Sequence, residues 1–278
     1  MTYFNNLGQG RIGWKSPTSG GVDTDAQAFI TAAAITGATQ QTAINTLVTN
    51  LKTAGIWTKM KAIYPFVGGT AFSHKFNLKD PRDLDAAYRL FFGGGGTHGA
   101  NGYLTNGTTA YANTWLPPNT QLTKNSTHMS MYCGNNPTPV QANPAFGATQ
   151  TNGNAYYMHL KHPGDSKYHG YVGSTNNEVN FPNNDTRGFH VLTRTANNVL
   201  KAYKNASLLS TNTATDTTNL PGQTINLGRL STDGGWVSTT ENNYEHRLVS
   251  IGDGLTDADA AAFYTAVQAY QTTLGRAV

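Results

Sequence analysis

Gly188-Phe189-His190-Val191-Leu192-Thr193-Arg194-Thr195, then Asn197-Asn198, then Val199-Leu200-Lys201-Ala202-Tyr203-Lys204-Asn205-Ala206, then Gln223-Thr224-Ile225-Asn226-Leu227-Gly228-Arg229-Leu230: these segments set the fold class of the chain. Three short runs rich in β-branched and aromatic residues, divided by Asn, Gly and Pro, have the length and spacing of consecutive antiparallel strands. Asn tolerates the positive φ of a tight turn, so Asn197-Asn198 predicts that the first two runs pair directly and that the third completes a meander. Leu200 and Ala202 alternate with Lys201 and Tyr203, as Ile225 and Leu227 do with Asn226 and Gly228. One face of such a sheet must find a core.

Outward from this stretch the rhythm persists. Residues 63–70, 85–92, 127–132, 155–159, 168–172, 178–180 and 246–251 read as further strands, and Asn106-Gly107 reads as a hairpin turn. Ten to thirteen short strands at regular spacing predict a mainly β fold, a two-sheet antiparallel jelly-roll sandwich. Two helical elements flank it. Asp23-Thr24-Asp25 caps a short helix, and Ile44, Leu47, Val48 and Leu51 keep the spacing of an amphipathic one ended by Gly55. This N-terminal helical hairpin, residues 22–62, is too small to stand alone and should lie on the sandwich of residues 63–278. A C-terminal helix follows Thr256, with Phe263, Ala266, Val267, Tyr270 and Leu274 on one face. Residues 1–21 show no sustained period and read as an extended arm whose Tyr3, Phe4, Ile12 and Trp14 form an assembly contact or pack within the domain.

With 38% hydrophobic and 12% charged residues, the chain can bury a large core while Asn, Thr, Ser and Gly solubilise its surface. Its 19 basic and 15 acidic residues form no Lys/Arg cluster, which argues against nucleic-acid binding. No run is long enough for a membrane span, and the first ten residues lack the basic and apolar regions of a signal peptide, which predicts synthesis in a cytoplasm. The single Cys133 excludes an intrachain disulfide and reads as a buried thiol.

Chemistry-bearing constellations are few. Gly93 to Gly96 lack the Lys and helix of a phosphate cradle and read as a turn. Glu178, Glu241 and Glu245 are the only glutamates, and none forms the alternating pair a glycosidase strand would carry, so no catalytic residue and no enzyme is expected. His159, His162 and His169 cluster near Asp165, but loop-level spacing argues for an ordinary hairpin and for no metal site. A sugar site needs an aromatic plane and amides for hydroxyls. Tyr168, His169, Tyr171, Asn176 and Asn177 form one such group; Trp236, Asn242, Asn243 and Tyr244 form another; the alternative places these rings in the core or at subunit contacts.

Val199 to Ala206, Ile225 to Arg229 and Leu248 to Tyr264 resemble the C-terminal half of concanavalin A-like, laminin-G-type jelly rolls, with Asn205-Ala206 where Asn-Gly is usual. Ala43 to Val48, Trp57 to Gly69 and Leu78 to Leu90 are similar to a group of bacteriophage virion proteins that occur as tail-fibre tips, head fibres or other surface appendages. That resemblance implies a structural protein of a virion surface, a trimer or dimer meeting other virion proteins and a host-surface glycan; from the residue spacing no cofactor is expected. A free lectin-like module is the alternative, and a glycoside hydrolase the third. Members of the sandwich family hold calcium with loop Asp residues; Asp165, Asp185 and Asp233 are available here, but their spacing forms no calcium loop.

Overall fold

The computed structural model describes residues 21–138, 144–236 and 243–278, with only the backbone of Trp236. The predicted assembly residues Tyr3, Phe4, Ile12 and Trp14 lie outside the described residues, as does Asn242. The described elements are α1 (Thr24–Ala32), α2 (Ala38–Thr53), β1 (Met60–Tyr64), α3 (Ala71–His74), β2 (Phe91–Gly93), β3 (Thr97–Gly99), β4 (Gly102–Leu104), β5 (Tyr111–Asn113) and α4 (Pro118–Gln121). They continue as β6 (Thr127–Cys133), β7 (Phe146–Thr149), β8 (Asn154–His159), β9 (Lys167–Ser174), β10 (Glu178–Pro182), β11 (Gly188–Ala196), β12 (Val199–Lys204) and β13 (Ser207–Asn212). Last come β14 (Asn226–Leu227), β15 (Leu230–Thr232), β16 (Gly235–Trp236), β17 (Glu245–Gly252) and α5 (Asp257–Thr273).

Two sheets stack as the sandwich predicted. The first runs β13-β12-β11-β6-β17-β4-β3 with β1 added on β17; the second runs β10-β9-β8-β7-β14-β5-β2, with β15 on β7 and β16 on β15. Pairing is antiparallel throughout except between β15 and β7. The helices α1, α2 and α5 cover the outer face of the first sheet, so its central strands are buried on both sides. β6 shows the consequence, for all seven of its residues are buried. Tyr132 packs with the helices, while Met129, Met131 and Cys133 enter the core between the sheets. Each buried large side chain contributes roughly 1.5–3 kcal/mol relative to exposure.

The helical hairpin forms where expected. Asp23 caps α1 by accepting the Asp25 amide at 2.9 Å and takes Lys52 of α2 in a 2.7 Å ion pair, while Phe29, Ile44, Leu47 and Leu51 are fully buried. The boundary drawn at residue 62 falls inside β1, because the chain leaves the hairpin directly into the first sheet.

Four local expectations are corrected. The third strand of the meander is β13, and the run 223–230 supplies only β14 and the start of β15, both in the second sheet. Asn106-Gly107 joins strands of different sheets rather than a hairpin: the Asn106 side chain accepts the amides of Thr108, Thr109 and Ala110 and turns the chain across the sandwich. Residues 85–92 begin as a 3-10 turn, end it with Tyr88 in the left-handed region at φ 61°, and reach a strand only at Phe91. His159 and His169 are not on a loop; they lie opposite each other on β8 and β9.

The turn between β12 and β13 holds both Asn205 (φ 48°) and Ala206 (φ 67°) in the left-handed region. Asn tolerates that conformation and Ala does not. Ala206→Gly is therefore expected to stabilise the fold by about 1 kcal/mol, a rise of roughly 2–4 °C in the thermal midpoint; an unchanged or lower midpoint in a scanning calorimeter would count against it.

Candidate functional site

Where β2 and β5 form the edge of the second sheet, strand alternation sends Phe92 and Ala112 into the core and Phe91, Tyr111 and Asn113 outward. The short helix α3, started by a reciprocal Thr70–Ser73 capping box, presents Phe72 beside them. Immediately after β5, Trp115 takes φ 58°, a left-handed conformation that is unusual for a bulky residue. The Asn113 side chain accepts the Trp115 amide at 2.9 Å and holds the bend. Phe72 and Phe91 are each 52% exposed and Trp115 is 37% exposed. These rings, with Ala71, Lys75, Asp85, Arg89 and Leu90, line a cleft of about 390 Å³.

Charges at its rim are mutually fixed. Asp83 accepts Lys75 at 2.7 Å and Arg89 at 2.7 Å, and Arg89 also bonds Asp85 at 2.8 Å. The Lys75 bond, then that of Arg89, holds the Asp83 carboxyl below its ordinary range. Lys75 sits 4.7 Å from the Phe72 ring centre, and the Arg229 guanidinium lies 3.2 Å over Tyr111. The cleft thus offers apolar ring faces flanked by anchored donors and acceptors, the combination that binds a pyranose or another amphipathic ring.

The residues singled out from sequence fare unequally. Tyr168 is fully buried, stacked 4.6 Å from Phe181 and 5.9 Å from His190, and Tyr244 is also fully buried. Neither ring has a face to offer, because both belong to the core between the sheets. His169 and Tyr171 do share the outward face of β9: Tyr171 donates to Glu178 at 2.5 Å and lies 4.6 Å from the Tyr157 ring. Asn176 and Asn177 occupy the β9–β10 turn, Asn176 exposed and Asn177 donating to the Thr215 carbonyl at 3.3 Å. Trp236 pairs through its backbone with Ser231 in a separate corner of the second sheet, and the Asn243 carbonyl accepts from Asn135 at 2.7 Å.

Asp185 is engaged by Arg187 at 2.8 Å and Asp233 by Thr151 at 2.8 Å, and the structure does not gather Asp165, Asp185 and Asp233 into one cation cage. Cys133 is buried, its thiol pushed up to about 12 by burial. Among the described residues no helix is long and apolar enough to cross a membrane. Phe72, Phe91 and Trp115 escaped the sequence reading: Phe91-Phe92 cannot be assigned to faces before the register is known, and exposure of a Trp leaves no local mark.

No protein-family model matches the chain, and no curated protein sequence does. Solved structures do match. The chain is similar to the binding domain of botulinum neurotoxin serotype D (TM-score 0.53, 12% identity, 76% of this chain and 52% of that one). It is also similar to the binding domain of botulinum neurotoxin DC in complex with rat synaptotagmin II (0.51, 13%, 77% and 53%). A third is Trypanosoma rangeli sialidase (0.50, 11%, 81% and 38%). The chain spans about half the length of the toxin domains. At such identities these likenesses show the fold alone, a concanavalin A-like jelly-roll sandwich.

Proposed function

We propose that this chain is a lectin-like binding module that engages saccharide at the cleft of Phe72, Phe91 and Trp115, without cleaving it. The observation that carries this reading is Trp115. A left-handed φ at a bulky residue costs on the order of 1–3 kcal/mol, and such strain gathers at ligand sites. Here it is spent holding a partly exposed indole over a cleft already floored by Phe72 and Phe91. A binding rather than catalytic role is supported by the carboxylates nearby, since Asp83 and Asp85 are occupied by Lys75 and Arg89.

The strain gives the test two readouts of different sign. Trp115→Asn removes the ring but suits the backbone, so glycan affinity is expected to fall at least about tenfold while the thermal midpoint holds or rises. A glycan array followed by titration calorimetry of the best binder measures the first, and calorimetric unfolding the second. Unchanged affinity in Trp115→Asn and Phe91→Ala would move the site elsewhere, and release of sugar from a defined polymer would replace binding by catalysis.

The virion-surface setting, with a homo-oligomer assembled through residues 1–21, is part of this proposal and rests on the sequence resemblance; in that setting the cleft would meet a host glycan.

A further inference from the structure

On the outward face of the second sheet, away from the cleft, three side chains converge that the proposed saccharide binding does not use. His162 and Asp165 come from the β8–β9 loop and His169 from β9 itself, and one ligand atom from each lies within 4.8 Å of the others. His169 Nε2 is 3.1 Å from Asp165 Oδ2, and His162 Nδ1 is 3.8 Å from Asp165 Oδ1. A tetrahedral ion with bonds of about 2.0–2.2 Å separates its ligand atoms by roughly 3.4 Å, between those two distances. We propose that His162, Asp165 and His169 form a binding site for a divalent transition-metal ion, zinc by preference.

The support behind His169 points the same way. Its Nδ1 lies 2.8 Å from Glu178 Oε2, and Glu178 is itself held by the Tyr171 hydroxyl at 2.5 Å and by Asn180 at 2.7 Å. A carboxylate acceptor on Nδ1 fixes the tautomer whose Nε2 carries a lone pair, the arrangement that orients metal-binding imidazoles. In that tautomer the lone pair faces the Asp165 carboxylate at 3.1 Å, a spacing at which one cation can be bound by both atoms. The ring is placed by the sheet, with His169 opposite both His159 and Asn180.

The loop is equally defined. Ser166 donates its amide to the His162 carbonyl at 2.8 Å, His162 to the Lys167 carbonyl at 2.8 Å, and Lys167 to Asp165 Oδ1 at 3.1 Å. His162 Nδ1 accepts the Gly164 amide at 3.2 Å, a bond that ion binding through that nitrogen would exchange. Two imidazoles with one carboxylate suit zinc and exclude calcium and magnesium, which take oxygen donors. Side-chain exposures of 32% for His162 and 36% for Asp165 leave an entry path and a fourth position for water or a ligand group.

The test uses the untagged full chain, stripped with a chelator and titrated with zinc chloride in a calorimeter, with calcium chloride as a parallel arm. One equivalent of zinc is expected to bind and calcium not to compete. His162→Ala, on an exposed loop where the fold does not depend on it, and His169→Gln should each weaken zinc at least about tenfold; Glu178→Gln, acting through His169, should weaken it about 10-fold or more. Cobalt(II) should give the intense visible absorption of a four-coordinate ion in the native chain and lose it in His162→Ala. Absence of stoichiometric zinc binding, equal affinity in His162→Ala, or equal occupancy by calcium would each overturn the site.

Discussion

Lowering the pH from 7 to about 5.5 is expected to remove on the order of 5 kcal/mol of folding stability, a large share of the roughly 5–15 kcal/mol of a typical domain. Four histidines are responsible. His74 is 1% exposed, and His128, His190 and His246 are fully buried. Burial holds His74 and His190 at about 3 and His128 and His246 at about 4. In the unfolded chain each would titrate near 6.5. Between these values the unfolded state binds more protons than the folded one, so stability is present in full above about pH 6.5 and falls as acid is added. At one unit below, each histidine costs about 1.4 kcal/mol.

Burial is why the folded chain refuses those protons, since it strips an imidazolium of its hydration, and for His128, His190 and His246 it outweighs backbone carbonyl bonds that act the other way. His74 Nε2 accepts the Gly69 amide at 3.2 Å and its Nδ1 meets His98 Nδ1 at 2.9 Å, so a cation at His74 would lose one bond and press on a second imidazole. His128 has its two nitrogens engaged by the Asp253 carbonyl and Ser250, between the first sheet and α5. The carboxylates act in a lower window. Asp185, for example, is held at about 2 chiefly by its bond from Arg187, so its contribution is lost only below about pH 4. Urea denaturation from pH 7.5 to 4.5 separates the two: a slope beginning below about 6.5 is expected, reduced by about a quarter in His128→Gln. Flat stability down to pH 4.5 would show that the imidazoles carry charge in the fold.

Much of the scaffold was legible because period-two alternation and turn residues survive any tertiary context. Asn197-Asn198 does join β11 and β12, and Ile44, Leu47, Val48 and Leu51 do face the core. What failed involved choices between partners. Asn106-Gly107 has the composition of a hairpin turn, yet its side-chain bonds serve equally to cross between sheets. The site was less legible than the fold. Alternation alone could have separated Tyr168 from Tyr171, since residues three apart on a strand point to opposite faces, and could have joined His169 to Tyr171. Nothing local shows that α3 brings Phe72 to Phe91 and Trp115, because the three come from separate elements that only the completed sandwich brings together.

Arg276 was invisible for the same reason, and its removal is the second large expected effect. In sequence it follows Gly275, beyond the end of α5, with no local mark of a role; in the fold it is 4% exposed. Its guanidinium donates to the carbonyls of Phe66 at 2.8 Å, Ala100 at 3.1 Å, Pro65 at 2.9 Å and Arg247 at 2.9 Å, and to the Gln271 side chain at 2.6 Å. Burial pulls its pKa down, but five oriented acceptors hold the charge, and they fasten α5 to the bend where Phe66 sits at φ 43°. Arg276→Ala would take a donor from all five acceptors, leaving Pro65 only the Tyr270 hydroxyl and Arg247 only the Gln271 amide as side-chain donors, at an expected cost on the order of 3–5 kcal/mol, or roughly 10 °C in the thermal midpoint. Lysine carries three donors on a single nitrogen and cannot span the fan, so Arg276→Lys should fall between the native chain and Arg276→Ala. Denaturant titration of the series checks the order. A loss below about 1 kcal/mol in Arg276→Ala would mean that water replaces the guanidinium at those carbonyls and that the C-terminal segment does not secure the bend.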